Sequence, residues 1–298
     1  MKNLIKILLL FPLITLSQID SKQHDQLILR GGILINSTGA PPIGPVDIVI
    51  EKNIITKVQN VGYPGVPINE NRRPKLSKNG VEINCEGSYI LPGFIDTHGH
   101  IGGRSQGASP DYVFKLWMAH GITTIREPGG SLSHELKLEL KNKSEKNTIV
   151  APRIIAFSTF NSRVQSPNEA KEWVRENAKK GSDGIKFFGA PPEIMQAAIE
   201  ENKRLGLRST SHHAQLNVVR WNVLNSARAG LNSMEHWYGL PEALFNNRVI
   251  QNYPPNYNYQ NEQNRFEEAG KLWKQAAEPY SDHWNDVMDE LISLDFTI

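Results

Sequence analysis

Cysteine is almost absent from this chain of 298 residues, with Cys85 as its single copy. One cysteine cannot form an internal disulfide framework, and it excludes a metal site built mainly from thiolates. A metal site in this chain would therefore have to use histidine, carboxylates or a modified lysine.

Neither sign of charge is in large excess, since the chain has 33 Lys and Arg and 31 Asp and Glu, with a formal net charge of +2. Such a balance gives no reason to expect nucleic acid or an anionic membrane surface as a partner. The fractions of hydrophobic residues (39%) and charged residues (21%) are those of an ordinary globular protein. The length allows one large domain or two modest ones.

Long hydrophobic runs are also lacking, because the apolar stretch that begins at Ile7 is too short to span a bilayer. Lys2 and Lys6 precede this stretch. It ends in Thr15-Leu16-Ser17, a pattern that a signal peptidase accepts. We therefore predict a signal peptide over residues 1–17 and export to the periplasm or beyond. A buried N-terminal helix is the alternative. No cysteine follows the run, so we expect no lipid anchor there.

Residues 26–89 predict a small β-rich unit made of short strands. Two β-branched runs, Asp47–Glu51 and Ile54–Val58, are separated only by Lys52-Asn53. Asparagine tolerates the left-handed conformation that a two-residue hairpin turn requires. We therefore expect a hairpin within a unit that precedes the main domain.

From residue 90 to the end, apolar runs alternate with helix-like segments, which predicts βαβ units and a parallel sheet. Six repeats suit a (β/α)8 barrel better than a short open sheet, although an open doubly wound sheet stays an alternative. The predicted strands are 90–95, 122–125, 153–157, 184–188, 207–211 and 231–235, and the helix-like segments include 111–119, 167–180, 192–204 and 215–229.

The end of the chain departs from this repeat. Residues 250–281 are rich in Asn, Gln, Tyr and Glu, which indicates a polar insertion over the barrel mouth with one helix near 263–277. Residues 291–298 resemble a helix end that enters a seventh strand. Because a native terminus rarely falls inside a barrel strand, we expect the barrel to be incomplete before its eighth strand.

The motif His98-Gly99-His100 gives the strongest local signal for chemistry. It follows the first predicted barrel strand, at the end where barrel enzymes place their active sites. Side chains two positions apart on a strand point the same way, so both imidazoles can face one divalent ion. Alone, such a pair is equally compatible with a structural role.

Further candidates follow other strands. His212-His213 and His236 come at the ends of the fifth and sixth predicted strands, and Lys186 lies within the fourth, between Ile and Phe. A buried lysine is costly without a partner, so it either reaches the mouth or pairs with a carboxylate, or it has become a metal ligand in a neutral or modified form. His24, His120, His134 and His283 are interpreted as surface or packing residues.

Several stretches in this order resemble the amidohydrolase superfamily, and in particular its prolidase and imidazolonepropionase-like branch. They are Gly87–His100, His120–Arg126, Asp183–Lys186 and Ser233–His236. The resemblance implies a (β/α)8 barrel joined to a small β-sandwich, one or two divalent ions, most often zinc, and a carboxylated Lys186. It also implies that His98 and His100 hold one metal, that His213 and His236 hold the other, and that Lys186 bridges both.

His212 and His213 cannot both face the mouth, because neighbours on a strand point to opposite sides. The resemblance favours His213, which directly precedes a small residue, and leaves His212 as the alternative. The family's catalytic aspartate follows the eighth strand. It is expected beyond Ile298, and Asp295 lacks the context for that role.

The implied function is hydrolysis of a C–N bond in an amide, cyclic amide or dipeptide-like small molecule, through a metal-activated hydroxide. Ester or lactone hydrolysis at the same site is one alternative. A non-catalytic exported binding protein is another, if the chain truly ends at Ile298. Trp237 and Tyr238 are candidates for shaping the substrate pocket or for packing, and a homo-oligomer stays open.

Overall fold

The computed structural model of the chain describes residues 24–130, 132–160 and 163–298. The predicted signal peptide, residues 1–17, lies outside the described residues. Within the described part, none of the helices combines the length and the apolar character needed to cross a membrane. The chain divides between Pro92 and Gly93 into two compact units.

The first unit contains one five-stranded sheet with the order β3-β2-β1-β4, in which β5 also pairs with β1. β2 and β3 form the predicted antiparallel hairpin. The left-handed residue of its turn is Lys52, with φ 58°, and not Asn53 as the sequence suggested. The strands are β1 Gln26–Leu34, β2 Ile43–Glu51, β3 Ile54–Asn60, β4 Val81–Asn84 and β5 Tyr89–Ile90.

A buried carboxylate organises the polar side of this sheet. Asp47 is fully buried and accepts hydrogen bonds from Arg30 (2.9 Å), Arg73 (3.1 Å) and the amide of Gly31 (2.8 Å). Burial raises its pKa, but the bonds from the two guanidinium groups and the amide outweigh burial, so the pKa lies below the ordinary value. Asp47 therefore stays ionised and acts as a structural centre of this unit.

The second unit is a mixed α/β body with six parallel strands in sequential order, β6 to β11. Within the described residues the sheet curls into a half-barrel that ends at β6 and β11, which agrees with an incomplete (β/α)8 barrel. The strands are β6 Phe94–Asp96, β7 Ile122–Glu127, β8 Arg153–Thr159, β9 Gly184–Phe187, β10 Arg208–Ser211 and β11 Ser233–Met234.

Helices cover the outer face of this sheet, where the larger of the two buried apolar clusters of the unit lies between β9 and its neighbouring helices. Ile185 and Phe187 point into this cluster and are fully buried. The helices are α1 Pro110–Ala119, α2 His134–Glu145, α3 Pro167–Lys179, α4 Pro192–Arg204, α5 Val223–Ala229, α6 Leu240–Ala243, α7 Glu262–Lys271 and α8 Asp282–Ser293.

The helix predicted near 263–277 is present, while the position of residues 250–281 over a barrel mouth stays a prediction. α7 lies inside residues 250–281 and continues into a 3-10 segment, Leu272–Gln275. After α8 the chain returns to the sheet, where Thr297 makes a parallel bridge with Ser233 beside β11. The segment predicted as the start of a seventh strand thus lies next to the sixth.

Candidate active site

The carboxyl ends of three strands bring four imidazole rings together. His98 and His100 follow β6, His212 follows β10, and His236 follows β11. The ring centroid of His98 lies 5.2 Å from that of His100 and 5.0 Å from that of His236. The ring centroids of His236 and His212 are 4.9 Å apart. We call these four residues the histidine cluster. Three of them, His98, His100 and His236, are ligands predicted from the sequence.

The ring of His98 is held by Glu235, a residue to which the sequence analysis gave no role. His98 Nδ1 lies 2.5 Å from Glu235 Oε2, and Glu235 is only 4% exposed. Burial raises the pKa of Glu235, but the bond with His98 and the charge of Lys186 outweigh it and lower the pKa to about 2. An ionised carboxylate only accepts, so His98 donates through Nδ1 and keeps its Nε2 lone pair free.

His100 has a similar partner in Glu127, at the end of β7. Its Nδ1 lies 3.2 Å from Glu127 Oε1, while Glu127 Oε2 accepts the amide of Ile101 at 2.8 Å. The amides of Gly129 and Gly130 also donate to Glu127 Oε1. Burial raises the pKa of Glu127, but the hydrogen bonds from His100 and Ile101 and the charge of Lys137 outweigh burial and lower it. Glu127 thus anchors His100 as an ionised acceptor.

Lys186 lies on β9 and is buried on the inner face of the half-barrel, with 2% exposure. Among the described residues its ammonium has no hydrogen-bond or ion-pair partner, and it lies 5.3 Å from the ring centroid of Phe188. Burial lowers its pKa to about 8, although the charge of Glu235 acts in the opposite direction. Lys186 therefore has a far larger neutral fraction than an exposed lysine.

The structure places the two adjacent histidines on different sides of the sheet. His213 is 3% exposed and points toward α5, where its Nε2 lies 2.8 Å from Ser226 Oγ. Its Nδ1 is buried without a partner among the described residues. His212 instead packs against His236 and lies 5.3 Å from Phe188. The strand alternation that separates the two neighbours therefore brings His212, and not His213, to the cluster.

Thr210 explains why His212 takes the inner face. Thr210 pairs with Lys186 across β9 and β10, and its hydroxyl donates to Glu235 Oε1 at 2.7 Å. His212 is two residues further along the same strand direction and so points the same way. Burial, followed by the charges of His236 and Lys186, lowers the pKa of His212 to about 3. A neutral imidazole is the form that binds a metal.

His236 has a left-handed backbone, with φ 60°. This conformation is costly for a residue with a side chain, by about 1 kcal/mol. It lets two consecutive residues, Glu235 and His236, both reach the histidine cluster, which an extended strand would not permit.

The two aromatic residues after His236 take different positions. Tyr238 is 2% exposed and its ring lies 4.9 Å from His212 and 6.2 Å from Phe266 on α7. Trp237 lies 6.0 Å from Trp273 in the 3-10 segment. Tyr238 therefore packs directly on the cluster, whereas Trp237 connects it to the insertion. Their contact with a substrate stays a prediction.

A cavity of about 470 Å³ opens inside the half-barrel next to Glu235. Arg126, Phe157 and Thr297 are among the residues that line it. Asp295 also lines this cavity, but no hydrogen bond or ion pair joins its side chain to the histidine cluster in the described part of the chain.

The donor types at this site fit a divalent ion. Four imidazoles converge, two of them are oriented through Nδ1 by buried carboxylates, and a buried lysine lies beside them. Metal-bound histidines in proteins have such carboxylate partners. Among residues 24–130, 132–160 and 163–298, however, no three His, Cys, Asp or Glu are arranged to hold one ion. Metal binding, its identity and its stoichiometry remain predictions.

Comparisons with protein families and with individual known proteins match little of the chain. No family model matches the chain. A 44-residue stretch, 15% of this chain and 7% of the relative, is 48% identical to adenine deaminase 2 of Desulfotalea psychrophila (strain LSv54 / DSM 12343).

Three solved structures are similar in fold over the aligned part of the chain. A Xaa-Pro dipeptidase with bound methionine has 20% identity and a TM-score of 0.50, over 71% of this chain and 61% of the dipeptidase. An amidohydrolase has 19% identity and a TM-score of 0.52, over 71% of this chain and 60% of the amidohydrolase. Molinate hydrolase has 13% identity and a TM-score of 0.55, over 93% of this chain and 73% of that enzyme.

The chain spans about three fifths of the length of the dipeptidase and of the amidohydrolase. At these identities the likeness concerns the fold. It agrees with the resemblance found in the sequence motifs, since prolidases and an amidohydrolase are among the matching structures. In its fold, this chain is similar to solved amidohydrolase and prolidase structures.

Proposed function

We propose that this protein is a metal-dependent hydrolase of C–N bonds in amides, cyclic amides or dipeptide-like small molecules. The observation that carries the proposal is the convergence of four imidazoles from three strand ends beside the buried Lys186. Such a cluster at the carboxyl ends of parallel strands lies where barrel enzymes carry out their chemistry.

The similar solved structures support the reaction class. They include a Xaa-Pro dipeptidase, an amidohydrolase, molinate hydrolase and phenylurea hydrolase B. The reaction class proposed for this chain is the coarse one, hydrolysis at a C–N bond.

In this proposal His98 and His100 hold one divalent ion, and His212 and His236 hold a second, with zinc as the expected metal. Lys186 contributes to both after carboxylation, because an ammonium cannot coordinate a cation. The lowered pKa of Lys186, about 8, supports this step, since the neutral amine is the form that reacts with carbon dioxide. A bound divalent ion supplies Lewis acidity toward a substrate carbonyl and lowers the pKa of a water molecule.

The protein's own residues prepare the site for this chemistry. Glu235 and Glu127 keep the Nε2 lone pairs of His98 and His100 free. The rings of Tyr238 and Phe188 pack against the ring of His212, at centroid distances of 4.9 and 5.3 Å. Trp237 connects the cluster to the insertion, and we propose that Trp237 and Tyr238 border the substrate.

The test is the metal content of the purified full chain, measured by mass spectrometry after growth with zinc. We expect about one to two divalent ions per chain. Lys186→Ala and His212→Ala should each lower this content. His213→Ala is the matched control, because its ring lies on the helix side of β10. It should keep the metal while losing about 2–4 kcal/mol of stability.

A folded wild-type chain without divalent metal would contradict the proposal. If His213→Ala loses the metal and His212→Ala keeps it, the sequence prediction of His213 as the ligand is right and the proposal of His212 is wrong. Activity is then screened with dipeptides, cyclic amides, esters and lactones, since the last two identify the alternative chemistry. Export through residues 1–17 is a separate proposal, tested by N-terminal sequencing of the protein from culture fractions.

A further inference from the structure

Glu235 connects the two outermost strands of the half-barrel. It follows β11, whereas its partner His98 follows β6. Its second oxygen is occupied from two other strands, by Arg126 Nη2 of β7 at 2.6 Å and by Thr210 Oγ1 of β10 at 2.7 Å. Because Oε1 takes these two bonds, Oε2 is the oxygen that remains for His98.

Arg126 holds both sides of the contact between His98 and Glu235. Its Nη2 binds Glu235, and its Nε donates to the carbonyl of Thr97 at 2.6 Å, directly before His98. The carbonyl of Arg126 accepts the amide of Gly99 at 3.0 Å. The backbone on each side of His98 is therefore tied to Arg126, which also holds the carboxylate that orients the His98 ring.

The next residue on β7, Glu127, holds His100 in the same manner. Glu127 is 1% exposed, and three backbone amides fix both of its oxygens. Arg126 and Glu127 are thus consecutive residues that serve His98 and His100 respectively. The described structure gives each of these two imidazoles an Nδ1 partner that is itself immobilised.

We propose that Glu235 and Glu127 are positioning residues that set the tautomer and ring orientation of His98 and His100, and that Arg126 holds Glu235 in place for this purpose. This inference rests on the proposed metal-dependent function. Its physical basis is that an imidazole which donates from Nδ1 to a carboxylate presents Nε2 to a metal as a stronger donor. Removal of the carboxylate should weaken metal binding without removing any ligand.

The experiment uses the metal-free full chain and measures the affinity for zinc by competition with a chromogenic chelator. Glu235→Gln and Glu127→Gln should each weaken binding by about 10- to 100-fold, the range found for such partners of metal-bound histidines. The visible absorption bands of the cobalt-substituted protein should also change, because the ring donor changes. A purely structural role would not alter these bands in variants that are folded.

Glu201→Gln is the matched control. Glu201 is 4% exposed and pairs with Arg175 at 2.7 Å and with Arg204, so it is also a buried glutamate bound to arginine. It lies on α4, away from the histidine cluster. Its variant should lose stability but keep the wild-type zinc affinity.

Glu235→Gln leaves Arg126 without its charged partner and risks misfolding. Arg126→Lys is therefore measured as well, because lysine keeps the charge but cannot bind two acceptors with one planar group. We expect a several-fold loss of zinc affinity from this change.

The outcomes separate the two proposals. Wild-type affinity in folded Glu235→Gln, Glu127→Gln and Arg126→Lys would overturn the positioning roles and leave the proposed function intact. A wild-type chain that binds no zinc would overturn both. Weakened binding in Glu201→Gln equal to that in Glu235→Gln would also overturn the inference, because the loss would then reflect general destabilisation.

Discussion

Lys186 is a buried cation whose ammonium lacks a hydrogen-bond acceptor among the described residues. The nearby carboxylate Glu235 is committed to His98, Thr210 and Arg126. Within the described residues, folding of the metal-free chain therefore removes the Lys186 ammonium from water without supplying an acceptor. Such a group makes stability depend on pH.

The sign follows from the two pKa values of Lys186, about 8 in the folded chain and 10.5 as the ordinary value. Between these limits the unfolded chain binds the proton and the folded chain does not, so stability rises with pH. The difference corresponds to about 3 kcal/mol, which burial costs the folded state below pH 8. We expect metal-free Lys186→Met to be more stable than wild type by about this amount near pH 7.

The measurement is urea unfolding of both metal-free proteins from about pH 7 to pH 10. The advantage of Lys186→Met should shrink as pH rises through the pKa of the folded state. Lys115→Met, which changes a lysine that is 54% exposed, should show no such trend. An advantage that stays constant over this range would mean that Lys186 is not a desolvated cation.

At the scale of elements, α5 matters because its residue Ser226 holds His213 away from the mouth. Ser226 Oγ lies 2.8 Å from His213 Nε2 and accepts a bond from Trp221 at 2.7 Å. The helix has only seven residues and begins after Asn222, whose side chain accepts from the amide of Leu224. The side-chain oxygen of Asn225 accepts a hydrogen bond from the Asn222 amide, which completes a capping box.

We expect Asn222→Ala to lower the free energy of unfolding by about 1 kcal/mol, because the first amides of α5 lose their acceptor. Asn222→Asp should restore most of the loss. Chemical denaturation measures both variants. Metal content should not change, since α5 carries no candidate ligand, and an unchanged stability of Asn222→Ala would show that the cap is dispensable.

The six barrel strands could be predicted to within a few residues, because turn residues bound each of them and most are short apolar runs; the polar β10 is the exception. α4 was predicted at its observed bounds, whereas α2 was not predicted. Its apolar residues are few among charged ones, and its buried residue is Lys137. The predicted helix 215–229 is shortened to α5, because Asn222 caps it and the preceding residues form turns.

The candidate site could be predicted only in part from the sequence. The sequence indicated His98, His100, Lys186 and His236 as candidate ligands, because each is a polar residue at or near an apolar strand. The residues alone could not decide between His212 and His213, since Ser209, Thr210 and Ser211 are all polar and give no alternation, and the choice of His213 came from the resemblance. The pairing of Thr210 with Lys186 decides the face, and that pairing exists only between strands. Glu127 and Glu235 have roles only through side chains distant in sequence.

For the whole molecule, all six tryptophans lie within residues 93–298, from Trp117 to Trp284. Their fluorescence therefore reports the unfolding of the barrel unit and not of the five-stranded sheet unit. Every candidate metal ligand also lies in the barrel unit. Zinc bound there should stabilise the state that the tryptophans follow.

At a free zinc concentration 100 times the dissociation constant, ligand linkage adds about 2.7 kcal/mol. For a unit of this size we expect the fluorescence-detected melting temperature to rise by about 5–10 °C. His212→Ala should reduce or remove the rise, whereas His213→Ala should keep it on a lower baseline. A wild-type melting temperature that does not respond to zinc would contradict the prediction.

The bond between His98 and Glu235 joins residues 137 positions apart in the chain. Bringing two such distant points together costs loop-closure entropy that only the strands between them can offset. Contacts of this range form late, after local βα units have assembled. The ring of His98 is therefore oriented only when all six strands have joined, so a nascent or partly folded chain would not yet present this donor to the metals around it.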